Sequence, residues 1–528
     1  FYAVTTLRRQ LRKKSEERLD HEFEAWARLL SLFRMVFGGV EHPSLRMPAL
    51  GSSLFDPDRF PFLEGRSAGS KWREDPATPL PINDQTVLLL LDAIQIFRGR
   101  TISYKGLDVE QIGHVYEGLL EKTVRRLDKT TLQLKSTKGA KDPFITLNEI
   151  VGVGNQNKND LIELIAEKSG KQALTIKNDL DREQPEASVS RLLSACNGDE
   201  EIFRQIFPYL NCIELDAWGY PLVHPGGAFV VGLGQDRRQT GSHYTPKRLT
   251  EKIVEETLTP IVFVGPADGL PKEQWSLKSP SEILDLKVCD PAMGSGAFLV
   301  QVCRWLSERL LEAWTRAEQG GAAFGVDGNE KQNEGAEPLP KGSDDRLMIA
   351  KRLIAEKCLY GVDLNPLAVE LAKLSLWLTT LAKGQPFGFL DHNLRVGNSL
   401  LGITSLDQIT NLSMTPKKAE QGRLFGRTIK RAVDEAIQLR IKLRDTTVRD
   451  VRDVEVMEAL DIESRRTLEF PLLLADALTG IELAYGNQRA INEQTEKLAI
   501  LADEVAAGRV DVEGAVGKAS VVNLAADE

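Results

Sequence analysis

Residues 290–296, Asp-Pro-Ala-Met-Gly-Ser-Gly, restrict the fold of this chain more than any other segment. They follow a strand pattern at 282–289 and precede a helical pattern over 298–314. A strand that passes through a glycine-rich turn directly into a helix is one half of a β-α-β unit. The glycines permit a tight turn, and the helix that follows turns its free amide groups toward the loop.

Two further strand ends repeat this pattern. Residues 358–362 have strand character and lead into Asp363 and a helix over 367–381, and a third strand ends at Gly397-Asn398. Alternation of strands and helices predicts an α/β fold with a Rossmann-like, doubly wound parallel sheet, of which this chain holds a part. Ligands of such sheets bind at the carboxyl ends of the strands, so we expect the three loops to line one crevice.

The residue types in these loops favour a nucleoside over a phosphate. Asp363 can accept both hydroxyls of a ribose, and the Asn398 amide can read an adenine edge through a paired donor and acceptor. A P-loop requires Lys-Ser/Thr where this chain has Ala297-Phe298, and a dinucleotide fingerprint requires glycine where it has Leu299. A glycine turn that binds no ligand is the remaining alternative. S-adenosylmethionine, a nucleoside with a zwitterionic tail and no phosphate, fits best, and no metal site is expected.

Composition limits the class of protein and its compartment. The 528 residues include 67 Lys+Arg and 76 Asp+Glu, for a formal net charge of −9, and 42% are hydrophobic, which is typical of a soluble globular protein of several domains. The longest apolar run, residues 87–91, is much shorter than a membrane span. Five cysteines without a CxxC pair predict a reducing, cytoplasmic environment.

Basic residues are concentrated in three segments, 8–14, 125–141 and 417–452. The third holds eleven Lys/Arg against five Asp/Glu. Two interpretations stay open for each segment: a solvated helix face, or a positive groove that follows the phosphates of DNA.

Patterning divides the chain into four predicted regions. Helices are expected over about 83–98 and 109–127, and Thr245 is expected to cap a helix that begins at Pro246. The glycine-rich stretch 318–345 has no core pattern and predicts a flexible surface excursion. The regions are a helical N-terminal domain (1–130), a polar insertion or linker module (131–205), the first strands of the α/β core (206–403) and a helical, partly basic segment (404–528).

Several segments together resemble a known family, the amino-methylating DNA methyltransferases of the type I and type IIG restriction–modification class. Relatives in the BREX and DISARM phage-defence systems share the pattern. Residues 50–65 and 104–121 are similar to the helical N-terminal region of these enzymes, and the likeness covers about 20–127 and 206–403. The matching motifs are TGSHYTP (240–246), DPAMGSG (290–296), YGVDLNPLAVELAKLSLWL (360–378) and RVGNSLLG (395–402).

This resemblance implies an S-adenosylmethionine site and assigns roles residue by residue. Asp363 resembles the ribose ligand, Leu364 the residue against the adenine, and Asn398 the residue that reads adenine N6. A packing role stays open for Tyr244, and a generic core position is favoured for Leu364. Five residues resemble the segment that lies over the methionine end of the cofactor: Thr240, Gly241, Tyr244, Thr245 and Pro246. Four residues resemble the glycine loop beside the sulfonium: Asp290, Pro291, Gly294 and Gly296.

The sequence departs from this family at the catalytic segment. The family transfers a methyl group to adenine N6 through an Asn/Asp-Pro-Pro-aromatic motif, and no Asn-Pro-Pro or Asp-Pro-Pro occurs in this chain. Asn365-Pro366 belongs to the ribose loop, so no catalytic residue is assigned. We favour missing strands on a second polypeptide or a C-terminal part, and the opening Phe1-Tyr2 fits a fragment. An inactive subunit and unrecognised catalytic residues stay open as alternatives.

The expected function is therefore that of the S-adenosylmethionine-binding part of a DNA adenine-N6 methyltransferase. It would act on double-stranded DNA together with the missing catalytic portion. The alternative is a catalytically inactive subunit that senses S-adenosylmethionine or acts as a scaffold in a defence complex. A small-molecule methyltransferase is a third class and predicts no affinity for DNA.

Overall fold

Two compact units make up the chain in this computed structural model. One comprises Phe1–His114 and His243–Glu528, and the other comprises Val115–Ser242. Among the described residues, no helix is both long enough and apolar enough to traverse a bilayer. The structure describes residues 3–47, 49–51, 54–97, 99–102, 122–137, 140, 142–184, 186–216, 218–233, 245–331, 337–381, 386, 388–416, 423, 425–446, 448 and 451–510.

The N-terminal part of the first unit is a small helical cluster. Its leucine-rich core includes Leu7, Leu29 and Leu91. The buried carboxylate of Asp84 accepts the N–H of Ala25 (2.8 Å) and so fixes the start of a helix. The elements are α1 (Val4–Leu11), α2 (Glu16–His21), α3 (Glu24–Gly38), β1 (Val40–His42), β2 (Leu45–Met47), a 3-10 helix (Pro61–Glu64), α4 (Asp84–Gln95), β3 (Ile96–Phe97) and β4 (Arg100–Thr101).

The second unit has a hydrophobic core of its own. Each described helix of the unit contributes residues to it, and Ile150, Ile165 and Leu192 are fully buried there. Residues 131–205, predicted to be an insertion or linker module, lie within this unit. The elements are β5 (Lys122–Arg126), β6 (Thr131–Gln133), β7 (Phe144–Thr146), α5 (Leu147–Gln156), α6 (Lys158–Ser169), α7 (Ala173–Asp181), α8 (Glu186–Ala195), α9 (Glu200–Ile206), a 3-10 helix (Phe207–Cys212), β8 (Val223–His224) and β9 (Phe229–Leu233).

Two small antiparallel sheets complete this unit. One has the strand order β7-β6-β8, and the other is a ribbon of β5 and β9. The ribbon corrects the predicted helix over 109–127: residues 122–126 are a strand, because they pair with residues 229–233, about a hundred residues later in the chain. The rest of that predicted helix, up to residue 121, lies outside the described residues.

The α/β core of the first unit is built around a parallel sheet with the order β12-β13-β14. Helices between the strands bury Trp314 and Trp377 completely against it. The elements are α10 (Lys247–Val262), β10 (Phe263–Val264), a 3-10 helix (Lys272–Gln274), β11 (Ser276–Leu277), α11 (Pro280–Leu284), β12 (Val288–Asp290), α12 (Ala297–Gln319), α13 (Ser343–Lys357), β13 (Leu359–Asp363), α14 (Pro366–Thr380) and β14 (Leu394–Val396). The parallel β-α-β succession agrees with the predicted fold class at this level.

The predicted flexible excursion at 318–345 is wrong in the part that the structure describes. Phe324 is buried in the core of the sheet and its helices. A Cβ atom on Gly328 would lie 2.7 Å from Leu284 and 2.9 Å from Leu353, so this glycine permits the close packing. The stretch is a packed loop, held also by a hydrogen bond from Lys357 Nζ to the Asp327 carbonyl (3.2 Å).

Helices form the C-terminal part of the described chain. Their core includes Phe425, Ile429 and Ile481. The Arg444 side chain donates to the carbonyl of Leu284 (3.1 Å) and thereby attaches these helices to the α/β core. The elements are α15 (Leu406–Asn411), α16 (Gly426–Asp445), α17 (Val451–Thr467), α18 (Glu469–Ala484) and α19 (Gln488–Ala506).

Candidate functional site

The register of the parallel sheet places the three predicted loops at one edge. Asp290, the last residue of β12, faces Gly361, and Asp363, the last residue of β13, faces Val396. Because the strands are parallel, the loops that follow them leave the sheet on the same side. The candidate site is therefore the set of loops after β12, β13 and β14, which we call the strand tips.

The loop after β12 is a tight turn fixed by its own backbone. The Ala292 N–H donates to Asp290 Oδ1 (3.1 Å), and the Met293 N–H donates to the carbonyl of Val362 in β13 (3.0 Å). Pro291 is exposed between them. The Asp-Pro pair that opens the motif thus starts the turn, and the turn is attached to the neighbouring strand.

The two glycines of this loop have different roles. Gly294 has a φ of 53° and Gly296 a φ of 83°, the left-handed region that glycine adopts without steric cost. A Cβ atom on Gly296 would lie 3.1 Å from the Cβ of Ala372 in α14, whereas one on Gly294 would meet nothing within 4 Å. Gly296 therefore permits close packing, and Gly294 leaves open space beside the loop.

Asp363 connects the strand tips. Its Oδ2 accepts the N–H of Gly294 (2.9 Å), its Oδ1 accepts the N–H of Asn365 (2.8 Å), and its carbonyl accepts the N–H of Gly397 (3.0 Å). Each carboxylate oxygen has a second lone pair. The carboxylate can therefore hold the glycine loop and still accept two hydroxyl groups from a ligand.

Asn398 and Leu364 are exposed at the same edge. The Asn398 Oδ1 accepts the N–H of Leu400 (2.9 Å), and its amide NH₂ makes no hydrogen bond within the described part of the chain. Leu364 is 61% exposed, so the favoured interpretation of this leucine as generic core is wrong. Both side chains are free to contact a ligand that lies across the tips.

An apolar rim around the strand tips was not predicted from the sequence. It consists of exposed leucine and valine side chains on the loops, in the first turn of α14 and at the end of β14. Adjacent exposed apolar residues mark contact sites more often than isolated ones do. The sequence signal for this rim is the pair Leu400-Leu401, shortly after Asn398. The rim residues are Leu364, Leu367, Val396, Leu400 and Leu401.

The electrostatics of the tips favour a cationic ligand. Burial raises the pKa of the Asp290 carboxyl, the hydrogen bond from the Ala292 N–H partly opposes this rise, and the negative charge of Asp363 adds to it. Partial desolvation of the thiol also raises the pKa of Cys289, with the charge of Asp290 as a second cause, so this cysteine is not an activated nucleophile although its side chain reaches solvent. Two carboxylates near each other would repel a phosphate and attract a sulfonium cation.

The segment before α10 is described only in part. Pro246 is the N-terminal cap residue of α10, and its carbonyl accepts the N–H groups of Leu249 (2.9 Å) and Thr250 (3.1 Å). The helix thus begins one residue later than predicted, and Thr245 is not its cap. The predicted cofactor residues Thr240, Gly241 and Tyr244 lie outside the described residues.

A second polar cluster lies on the flank of β14. The side chain of Asp461 is 3% exposed and forms ion pairs with Arg395 (3.0 Å), Arg440 (3.0 Å) and Arg465 (2.7 Å). These residues come from β14, α16 and α17. Asp461, Arg395 and Arg465 line a cavity of about 540 Å³, which also borders α14. The cluster joins the C-terminal helices to the sheet.

The basic segments contribute less free positive charge than the sequence indicated. Arg8 and Arg12 pair with Asp92, and arginines of segment 417–452 also pair within the chain. Those ion pairs include Arg423–Glu496, Arg431–Glu435, Arg440–Asp461 and Arg444–Asp285. In the described ranges, no three His, Cys, Asp or Glu side chains are grouped so as to hold a metal ion. The exposed cations of α16 are Arg427, Lys430, Arg431 and Lys442.

The fold and the strand tips define a class. A parallel β-α-β-α-β unit, whose glycine loop is bonded to an acidic residue at the next strand tip, is typical of proteins that bind a nucleoside at the carboxyl ends of the strands. Residues 272–410 match the family described as the MmeI DNA-methyltransferase domain. The matched stretch contains every strand-tip residue from Asp290 to Asn398. The chain therefore carries a DNA-methyltransferase domain of the restriction–modification type.

A curated relative supports the same class. The chain is 25% identical over 195 residues to a putative type II restriction enzyme and methyltransferase of Methanocaldococcus jannaschii. The alignment covers 31% of this chain and 14% of the relative, so the chain corresponds to a small part of that protein. The search of solved structures gave no match.

Proposed function

We propose that this chain is the S-adenosylmethionine-binding part of a DNA adenine-N6 methyltransferase of a bacterial restriction–modification or phage-defence system. The observation that carries the proposal is the hydrogen bond from the Gly294 N–H to Asp363 Oδ2. It joins the loop that resembles the sulfonium site to the carboxylate that resembles the ribose ligand. The proposed cofactor residues are Thr240, Gly241, Tyr244, Thr245, Pro246, Asp290, Pro291, Gly294, Gly296, Asp363, Leu364 and Asn398.

The residues present at the tips fit this cofactor. Gly294 offers backbone and open space, Asp363 has free lone pairs, and Leu364 presents an exposed apolar side chain to an aromatic ring. S-adenosylmethionine supplies a methyl group activated by its sulfonium. The chain's own residues orient the nucleoside: Asp363 holds the ribose, and Asn398 reads the adenine edge.

A second polypeptide or a C-terminal part is proposed to supply the catalytic motif and target recognition. Within the described residues, β12 pairs with β13 on one edge only, and Cys289 in its middle is exposed. An unpaired edge is a template for a further strand. We propose that the strand carrying the Asn-Pro-Pro-aromatic motif pairs there, in a cytoplasmic complex on double-stranded DNA.

Calorimetry of the full chain with S-adenosylmethionine tests the cofactor. The Asp363→Ala variant is expected to bind about a hundredfold more weakly, because two hydrogen bonds to a charged acceptor are lost. Asp268→Ala, which removes an exposed carboxylate on another loop, is the matched control and is expected to bind normally. An unaltered chain that binds no S-adenosylmethionine contradicts the proposal, and so does an Asp363→Ala variant with full affinity.

A second candidate function follows from the absent Asn-Pro-Pro segment. The chain would then be an inactive subunit that senses S-adenosylmethionine or acts as a scaffold in a defence complex. Mass spectrometry of nucleosides from incubated duplex DNA separates the two. Formation of N6-methyladenine only with a co-expressed partner that bears the motif supports the methyltransferase. Cofactor binding without methyl transfer in that mixture supports the inactive subunit.

A further inference from the structure

The antiparallel ribbon of β5 and β9 in the second unit has two unlike faces. On its inner face, Leu127, Phe144 and Val230 form a small buried cluster. Arg125 lies over the Phe144 ring (4.8 Å) and pairs with both oxygens of Asp142 (2.6 and 3.0 Å). On this face the guanidinium of Arg125 is therefore already paired with a carboxylate of the same unit.

Apolar side chains on the outer face of the ribbon are in solvent. Val124 faces Val231 across the ribbon, and Arg126 faces Phe229. Val124 is 65% exposed, Val231 60% and Phe229 70%. Arg126 is exposed and, unlike Arg125, has no ion pair within the described part of the chain. The outer face therefore combines a free cation with a contiguous apolar strip.

Charge is separated along the sequence of this unit. Residues 122–141 include seven Lys/Arg and one Asp, whereas residues 142–216 include seven Lys/Arg and fourteen Asp/Glu. Lys129, just beyond the end of β5, is exposed and without an ion pair among the described residues. Because Arg126 lies at the end of β5 and Lys129 three residues beyond it, these two free cations attract a polyanion to this end of the ribbon.

We propose that the outer face of the ribbon docks into the major groove of double-stranded DNA. The two strands lie about 5 Å apart, and the major groove, about 12 Å wide, admits a two-stranded ribbon. Arg126 and Lys129 contact phosphates on the groove wall. Val124, Phe229 and Val231 contact apolar base edges such as the methyl group of thymine. The choice of duplex DNA as partner rests on the proposed function.

Fluorescence anisotropy of the full chain with a labelled duplex of about 20 base pairs, two helical turns, tests this surface over a series of salt concentrations. The double variant Arg126→Gln/Lys129→Gln is expected to lower the slope of log K against log [salt] by about 2, because two phosphate contacts are lost. Phe229→Ser is expected to weaken binding about tenfold without a change in slope, because it removes an apolar contact. Arg204→Gln and Leu174→Ser alter equally exposed residues on helices of the same unit and are expected to bind normally.

Three results overturn the proposal. The first is that the variants of the outer face bind DNA as tightly as the two controls do. Another is a size-exclusion volume that shifts on Phe229→Ser while DNA affinity is unchanged, which assigns the face to protein association. The third is an unaltered chain that binds S-adenosylmethionine but no duplex at low salt, and that result leaves the proposed cofactor site intact. Circular dichroism of each variant establishes that the unit is folded.

Discussion

Asp363 and Asp461 are carboxylates with opposite surroundings, and both adjoin β14. Asp363 accepts hydrogen bonds from the backbone N–H groups of Gly294 and Asn365 and lies at an exposed edge. Asp461 is buried and surrounded by three guanidinium groups. A carboxylate held by backbone groups has lone pairs to offer a ligand, whereas one saturated by arginines fixes the packing of helices. The comparison separates a candidate binding site from a structural joint.

The largest effect is expected when the buried charge of Asp461 is removed. Asp461→Ala is expected to lower the free energy of unfolding by about 3 kcal/mol, because it leaves three converging arginines without their counter-charge. Asp363→Ala is expected to cost about 1 kcal/mol, since its partners are backbone groups near solvent. Urea denaturation of both variants measures the difference. Equal losses of stability would contradict the assigned roles.

The pH dependence of the free energy of unfolding provides a second test of the structural cluster beside β14. Burial, with the Arg440 charge as the next cause, lowers the pKa of His392 to about 4. In the unfolded chain its pKa is near 6.5, so between these values only the unfolded state binds the proton. Stability is therefore expected to fall by roughly 2–3 kcal/mol as the pH drops from about 6.5 to about 4, and no further below that.

A variant isolates this effect. His392 stacks on Phe389 with ring centroids 5.5 Å apart, so His392→Phe retains the stacking and removes the titration. Urea midpoints at about pH 7 and about pH 5 are expected to differ less in this variant than in the unaltered protein. His21→Gln, which alters an exposed histidine, is the control. An unchanged pH dependence in His392→Phe would refute the assignment.

The two glycines of the loop after β12 provide a further test of the candidate binding site. Gly296→Ala is expected to cost about 2 kcal/mol, because its φ is left-handed and the new Cβ would approach Ala372 to 3.1 Å. Gly294→Ala is expected to cost about 1 kcal/mol, since its surroundings are open, but to weaken S-adenosylmethionine binding by filling the space beside the loop. Thermal denaturation and calorimetry of the pair separate the roles. The idea fails if Gly294→Ala binds the cofactor with full affinity.

The smallest expected effect concerns Asp290. Because burial raises its pKa, the charged form is disfavoured in the folded state, and its stabilising contribution is lost as the pH rises through that raised pKa. Asp290→Asn is therefore expected to raise the melting temperature slightly at neutral pH, with the gain vanishing in acid. Cofactor affinity is expected to fall. A variant less stable than the unaltered protein at neutral pH would show that the carboxylate stabilises the loop.

Local sequence signals predicted the strand tips, and distant contacts account for the errors. The glycines and Asp363 follow strands directly, so turn chemistry at three short segments was sufficient to place them. The burial of Phe324 depends on the approach of Gly328 to Leu284 and Leu353, which no local pattern reveals.

Residues 122–126 illustrate the same limit. They are a strand only because they pair with residues 229–233, which are distant in the sequence. The arginines of segment 417–452 resembled a free basic face, but their partners Asp285, Asp461 and Glu496 belong to other elements. Net charge along a segment does not show which cations are already paired.

The first residue pair of the ribbon of β5 and β9 has a practical consequence. Lys122 faces Leu233, so the two ends of the described part of the inserted unit lie about 5 Å apart. Insertions whose ends are adjacent can be gained, lost or exchanged without rerouting the backbone. A short Gly-Ser bridge that joins Lys122 to Leu233 in place of residues 123–232 is therefore a feasible deletion. Foreign modules with equally close termini can be grafted at the same point.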